Sequence, residues 1–124
     1  MVLSQAEVVE CLEELGRRLG FEVAHDPQKN ARIREDDVEL GRVDVVWFKK
    51  IKVDGLPSLN SKVIIVAFEV HGLGPKSNKG VKGDLLNLYW SNAPLQVYVV
   101  PLKYLKSIVQ KHGEPGILIA LKKL

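Results

Sequence analysis

With 124 residues, of which 46% are hydrophobic and 27% charged, the chain has the size and composition of one folded domain spanning residues 1–124. Its single cysteine excludes an internal disulfide and a multi-cysteine zinc site, and no apolar run approaches the roughly 20 residues that cross a bilayer. The first residues lack the basic start of a signal peptide, so we expect a cytoplasmic protein without a membrane partner.

The net charge of +3 is mildly basic and permits binding to a phosphate backbone without demonstrating it. Acidic residues dominate the first 45 residues, whereas lysines dominate the segment from Lys76 to Lys82 and the C-terminal third of the chain. This asymmetry predicts one basic face. A lysine-rich solvated surface, as found in many proteins from hot environments, explains the same pattern equally well.

The first half of the chain predicts one helix and three strands. Ser4, with Glu7 three residues later, has the capping-box pattern of a helix start, and Gly20 is placed to end that helix. The predicted buried stripe, at helical spacing, consists of Val8, Leu12, Leu15 and Leu19. Cys11 on this helix is predicted to be buried. Strands are then predicted over residues 21–24, 32–40 (an outer strand) and 43–48.

The second half predicts a buried strand over residues 62–70, whose nearly continuous apolar sequence indicates that both its faces are covered. A helix over 84–92, a strand over 96–100, a helix over 102–112 and a final strand over 116–121 follow. Without the outer strand over 32–40, the order is α-β-β-β-α-β-α-β, which predicts an α/β fold with helices on both faces of one sheet and at least one parallel crossover.

Two acidic residues interrupt the apolar strands, and a histidine follows one of them. Asp44 lies within the strand over 43–48, and Glu69 lies near the end of the strand over 62–70, with His71 two residues later on the same face. A buried carboxylate must be solvated, paired or bound to a metal. Two carboxylates on neighbouring strands, with a backbone carbonyl, have the oxygen ligands that Mg²⁺ or Mn²⁺ prefers. Ion pairs between these carboxylates and nearby basic side chains are the equally weighted alternative.

The sequences GRVDVVW (residues 41–47) and VAFEVH (residues 66–71), followed by a helix rich in Leu, Asn and Trp, carry a resemblance to a known family. In this element order they resemble the PD-(D/E)XK nuclease superfamily, which includes restriction endonucleases and Holliday-junction resolvases. The resemblance covers about residues 4–101. It implies a restriction-endonuclease-like, three-layer α/β/α fold with a central mixed sheet, and a metal-dependent nuclease activity.

The resemblance also implies roles for individual residues. Asp44, Glu69 and the carbonyl of Val70 would hold Mg²⁺ or Mn²⁺. His71 stands where the superfamily usually has a lysine, and it can act as a general base near the attacking water. Lys79 or Lys82 from the following segment can instead reach back into the site. Loss of the usual lysine also fits the alternative, a catalytically inactive module that binds nucleic acid or a protein partner, although the active nuclease is favoured.

Further residues are candidates for supporting roles. Glu14 is the favoured first-helix acid for assisting the metal, although a solvated acidic face is the simpler interpretation. Lys76, Lys79 and Lys82 follow the predicted site directly and are candidates for nucleic-acid binding, with DNA favoured over RNA. Of the adjacent Tyr89 and Trp90, one is expected to pack in the core, leaving the other to meet a base or a partner subunit. Analogy with similar small domains predicts a homodimer.

Overall fold

The computed structural model describes residues 4–35, 38–52, 54–55, 61–71, 81–101, 106, 109–110 and 117–121. Over these residues its elements are α1 (Gln5–Arg18), β1 (Glu22–His25), a 3₁₀ turn (Lys29–Ala31), β2 (Arg32–Glu35), β3 (Val38–Arg42), β4 (Val45–Ile51), β5 (Ser61–Val70), α2 (Val81–Ser91), β6 (Leu95–Pro101) and β7 (Ile117–Leu121). Within the predicted helix over 102–112, the described residues Lys106, Val109 and Gln110 are helical. None of the described helices is long and apolar enough to cross a membrane.

The main sheet has five strands in the order β1-β4-β5-β6-β7. Strands β1, β4 and β5 pair in antiparallel fashion, whereas β5, β6 and β7 pair in parallel. The parallel step from β5 to β6 needs a crossover, and α2 is in that connection. The prediction of an α/β chain built on a mixed sheet with a parallel crossover is therefore confirmed.

Side chains that alternate along the strands form two separate cores, one on each face of the main sheet. On one face, α1 contributes Val8 to a core formed by Val45, Trp47, Val66, Phe68, Val70, Val97 and Val99. On the other face, α2 contributes Leu88 to a core whose members include Val46, Phe48, Ala67, Tyr98 and Val100. Burial of both faces explains why β5 and β6 are apolar at nearly every position.

The start of α1 follows the predicted local pattern. The Oγ atom of Ser4 accepts a hydrogen bond of 3.1 Å from the N–H of Glu7, and the Glu7 carboxylate accepts one of 3.2 Å from the N–H of Ser4. This reciprocal capping box satisfies two N–H groups that lack partners within the helix. Gly20 follows the helix with φ +88°, a left-handed conformation that favours glycine.

The buried face of α1 differs from the predicted stripe. Leu15 and Leu19 are exposed, at 47% and 59%, whereas Glu13 and Gly16 are buried. The reason is a close approach at Gly16, where an added Cβ atom would lie only 2.5 Å from Nε1 of Trp47. Because only glycine fits this approach, the contact sets the rotation of the helix. The same rotation leaves Cys11 exposed, so its predicted burial was wrong.

The predicted outer strand over 32–40 was also wrong in form. This segment makes two strands, β2 and β3, which pair with each other in a separate two-stranded antiparallel sheet. The register runs from Arg32 opposite Arg42 to Glu35 opposite Val38, so the chain reverses direction within the segment. The small sheet packs against α2, on the same side of the main sheet.

Candidate active site

Asp44 immediately precedes β4, and its carboxylate is fixed against the neighbouring strand. Its Oδ2 atom accepts a hydrogen bond of 2.7 Å from the backbone N–H of Val70, the last residue of β5. Its backbone oxygen accepts another, of 3.1 Å, from the N–H of Asp26. The half-buried Asp44 side chain therefore continues the β4–β5 pairing, with a carboxylate in the place of a backbone carbonyl.

Glu69 lies across from Asp44. The antiparallel register pairs Val45 with Phe68, so its continuation by one residue sets Asp44 opposite Glu69. Side chains directly opposed on antiparallel strands share a face, and their Cβ atoms are about 4.5–5.5 Å apart. The Glu69 side chain is fully buried, at 0% exposure. The backbone register thus sets the two acidic residues that the sequence singled out at neighbouring strand positions.

Tyr98 of β6 extends this row across a third strand, because the parallel register pairs Glu69 with Tyr98. The Tyr98 hydroxyl donates a hydrogen bond of 2.7 Å to Oδ2 of Asp84, in the first turn of α2. Tyr98 is fully buried and Asp84 is 2% exposed. Asp44, Glu69 and Tyr98 therefore form a line across three strands that ends on a carboxylate from the helix above.

The surroundings of Tyr98 hold its proton tightly. Burial, the hydrogen bond to Asp84 and the negative charges of Asp84, Glu69 and Asp44 raise the pKa of Tyr98 well above its ordinary value. Tyr98 is therefore a hydrogen-bond donor throughout the physiological pH range. The carboxylates of Asp84, Glu69 and Asp44 are therefore all close enough to act electrostatically on the Tyr98 hydroxyl.

His71 joins this network through its Nδ1 atom, which lies 3.1 Å from the Tyr98 oxygen. The single hydroxyl proton of Tyr98 is donated to Asp84, so the Tyr98 oxygen is the acceptor towards His71. Nδ1 must therefore carry a proton. In the neutral imidazole the lone pair then resides on Nε2, the nitrogen that can accept a proton or bind a metal. The His71–Tyr98–Asp84 relay thus sets the tautomer of His71.

A pocket of about 670 Å³ opens beside Asp44 on the α1 side of the sheet, the face opposite to the one that buries Tyr98, and its described lining includes neither Glu69 nor Tyr98. Glu13 of α1 lines it and places Oε1 2.9 Å from Nδ1 of His25, at the end of β1. Glu13 is 8% exposed. Glu14, the acid favoured from the sequence, instead lies on the exposed side of α1 and forms a 3.0 Å ion pair with Arg18. Of these two first-helix acids, Glu13 is the one that faces the pocket.

The donor atoms suit a hard cation in chemical type. Asp44, Glu69 and the Val70 carbonyl offer oxygen atoms, the kind of ligand that Mg²⁺ or Mn²⁺ prefers. Within the described part of the chain, no group of three or more His, Cys, Asp or Glu side chains is positioned to hold a metal ion. A bound ion would therefore depend on the backbone carbonyl, and on water or substrate oxygens, for its remaining ligands.

The predicted nucleic-acid-binding lysines are only partly covered by the structure. Lys76 and Lys79 lie outside the described residues. Lys82 is the second residue of α2, two positions before Asp84, and its backbone is helical. Tyr89 and Trp90 at the end of α2 are 72% and 41% exposed, so the expectation that one of them packs in the core was wrong.

Sequence reasoning missed Tyr98 and Asp84, and among the acids of the first helix it counted Glu13 as a candidate but favoured Glu14. A signal for Tyr98 was present, since a hydroxyl inside the apolar sequence of β6 must find a buried hydrogen-bond partner. Asp84 is typical of a helix first turn, where an acid is favourable without any further role. Glu13 had no signal in the periodicity, because its burial follows from the rotation set by Gly16.

No family model, characterised protein or solved structure with which the chain was compared matches it. What the protein does is therefore inferred from the chemistry and geometry of its own side chains.

Proposed function

We propose that the protein is a metal-dependent nuclease that hydrolyses phosphodiester bonds of nucleic acid, DNA in preference to RNA, on a restriction-endonuclease-like fold. The observation that carries the proposal is the backbone register of β4 and β5, which sets Asp44 opposite Glu69 when it is continued by one residue, together with the hydrogen bond from the Val70 N–H to the Asp44 carboxylate. Acidic side chains opposed in this way repel each other, and a divalent cation relieves that repulsion.

The element order supports the finer assignment of the fold. A helix, an antiparallel set of three strands, a crossover helix and a parallel strand occur in α1, β1, β4, β5, α2 and β6. This is the succession on which the resemblance to the PD-(D/E)XK superfamily depends. The two-stranded sheet of β2 and β3 is then an insertion between the first two strands of that core.

In this proposal Asp44, Glu69 and the Val70 carbonyl would hold Mg²⁺ or Mn²⁺. When bound, the ion supplies charge neutralisation at the phosphate and lowers the pKa of water. Nε2 of His71 accepts one proton from the attacking water, as the new phosphorus–oxygen bond forms and the bond to the leaving oxygen breaks. The leaving oxygen takes a proton from solvent, and His71 later returns its own to solvent. Lys82 is a candidate for contacting the phosphate.

The test is cleavage of labelled single-stranded, duplex and branched DNA, and of RNA, with Mg²⁺ or Mn²⁺ and with an EDTA control. Asp44→Asn and Glu69→Gln keep the shape of each side chain and remove its charge. We expect each to lower the rate at least about 100-fold, and His71→Ala to lower it by about 10²–10⁴-fold. Glu14→Gln is the matched control, since it removes an exposed acid from α1. Cutting that survives both carboxylate variants would refute the proposal.

One observation favours a second function, a catalytically inactive module on the same fold that binds nucleic acid or a protein partner. Glu69 has no exposed surface, whereas a metal ligand must be reached by the ion. Titration with Mn²⁺, followed by its paramagnetic broadening of the Val70 amide signal, separates the two functions. Broadening that Glu69→Gln abolishes supports the nuclease. A signal unchanged at millimolar Mn²⁺, with no cleavage of any substrate, supports the inactive module.

A further inference from the structure

A second concave surface lies on the α2 side of the main sheet, away from the carboxylates. This groove, of about 900 Å³, is bordered by the 3₁₀ turn, β2, the first residues of β5 and the end of α2. Lys62 near the start of β5 lines it, whereas Glu69 lies seven residues further along the same strand. At about 3.3 Å per residue the two ends are roughly 20 Å apart. The groove is therefore separate from the candidate active site.

The charge of the groove is one-sided. Its described lining includes four basic residues, Lys29, Arg32, Arg34 and Lys62, and no acidic one. One neighbouring acid, Glu39, lies 3.6 Å from Nε of Arg32 and offsets part of this charge. Basic side chains thus predominate among the described residues that line the groove, a composition that is complementary to a polyanion.

Two of the basic side chains, Lys29 and Lys62, lie close enough for their positive charges to interact. Nζ of Lys62 donates a hydrogen bond of 2.9 Å to the backbone oxygen of Asn30, and both residues line the groove. Burial and the positive charge of nearby Lys29 lower the pKa of Lys62 below its ordinary value. An anionic group between Lys29 and Lys62 would relieve their repulsion, so this wall is suited to phosphate.

The end of α2 contributes an aromatic wall to the groove. Tyr89 and Trp90 are adjacent residues at the end of α2 and are exposed at 72% and 41%. Trp90 packs over Gly41 of β3, where an added Cβ atom would lie 3.6 Å from Cε3 of the indole. The indole is thus anchored on one side while part of its surface faces solvent. Exposed rings beside cations have the features of a stacking platform for nucleic-acid bases.

We propose that this groove, lined by Lys29, Arg32, Arg34, Lys62, Tyr89 and Trp90, binds single-stranded nucleic acid. The basic wall contacts phosphates and the two aromatic rings stack on bases. Only a single strand offers both groups, because the faces of paired bases are covered within a duplex. The groove binds its strand without the metal and without the carboxylates of the candidate active site.

Binding is measured by the fluorescence of Trp90 during titration with a 12-residue thymidine oligonucleotide, in EDTA so that no cleavage occurs. The chain has two tryptophans, and Trp47 is 7% exposed, so a change in emission on base stacking comes from Trp90. We expect quenching on single strands, and a weaker, unquenched interaction with a duplex of equal length. The Trp90→Phe variant should abolish the signal.

Variants on each wall test the two contacts separately. Tyr89→Ala should weaken binding about 10-fold or more, and Lys29→Gln should reduce the slope of log affinity against log salt by about 0.7. The matched control is Arg18→Gln, which removes an exposed positive charge from α1 on the other face of the sheet. Asp44→Asn should bind like the wild type, so failure of the proposed nuclease activity would leave this result unchanged.

The proposal would be overturned by an absence of binding at low salt, or by a duplex that binds as tightly as single strands. It would also be overturned if Arg18→Gln and Lys29→Gln weakened binding equally, or if an acidic peptide quenched Trp90 as the oligonucleotide does. Self-association through Tyr89 and Trp90 would overturn it as well. It would appear in sedimentation as a dimer that Tyr89→Ala dissociates and that the oligonucleotide does not affect.

Discussion

Replacement of Tyr98 by phenylalanine tests the His71–Tyr98–Asp84 relay directly. The variant keeps the ring, which is fully buried in the core of the α2 face, and removes only the oxygen. That oxygen is the donor to Asp84 at 2.7 Å and lies 3.1 Å from Nδ1 of His71. The substitution therefore removes two hydrogen bonds without opening a large cavity.

The expected loss of stability in Tyr98→Phe follows from the two hydrogen-bond partners of the hydroxyl, Asp84 and His71. A hydrogen bond to a charged group contributes about 1.5–3 kcal/mol, and the lost bond leaves the 2%-exposed Asp84 carboxylate with one donor fewer. The bond to the half-buried His71 adds about 0.5–1 kcal/mol. We expect Tyr98→Phe to lower the free energy of unfolding by about 2–4 kcal/mol. At roughly 3–5 °C per kcal/mol for a domain of this size, Tm falls by about 6–20 °C.

The assay is urea unfolding followed by circular dichroism, with the m-value checked to be unchanged. Tyr89→Phe is the matched control, because Tyr89 is 72% exposed and should shift stability by less than about 0.5 kcal/mol. A double-mutant cycle with Asp84→Ala should give a coupling of about 1–2 kcal/mol. A loss no larger than that of Tyr89→Phe, or strictly additive effects in the cycle, would refute the relay.

Three further predictions concern the same residues and the packing of α1. In ¹⁵N spectra at a pH where the ring is neutral, His71 should carry its proton on Nδ1. The Tyr98→Phe variant should shift that proton towards Nε2. A wild-type ring protonated on Nε2 would contradict the assigned donor directions. Because the pKa of Tyr98 is raised in the folded state, its contribution to stability is complete below pH 10 and decreases above that pH by about 1.4 kcal/mol per pH unit. The free energy of unfolding of Tyr98→Phe should therefore fall less steeply above pH 10 than that of the wild type. Equal slopes in the two proteins would contradict the raised pKa. Gly16→Ala should destabilise the protein by about 1–2 kcal/mol in thermal unfolding, because the new Cβ atom would lie 2.5 Å from Trp47. This loss should exceed the gain from the better helix propensity of alanine. A stabilised variant would show that α1 can move away from Trp47 without cost.

The features that were predictable from the sequence are those fixed by local chemistry or by continuous burial. The capping box of Ser4 and Glu7 closes within one helical turn, so its residues suffice to predict it. The apolar sequence of β5 predicts a central strand because both its faces are covered. Asp44 and Glu69 stood out for the same reason, since a carboxylate in such surroundings requires a partner.

The features that were missed depend on contacts between distant residues. The rotation of α1 is set where Gly16 meets Trp47, 31 positions later, and no helical period contains that information. The partner of Tyr98 is a carboxylate on a separate element, placed by the parallel crossover. Tyr89 and Trp90 are apolar at helical positions, but the small sheet of β2 and β3 covers only part of α2 and leaves both rings exposed.

The hydrogen bond from the Val70 amide to Asp44 makes one backbone proton a built-in reporter of the candidate site. That amide bonds to a side chain that carries charge, so any event that changes the charge or position of the carboxylate also changes the protection of the amide from exchange with solvent. Val70 lies where β5 pairs with β6 on its other edge, through the parallel register with Val99. Slowed or hastened exchange at this single position would therefore register ion binding, in a measurement that requires neither a substrate nor a mutation.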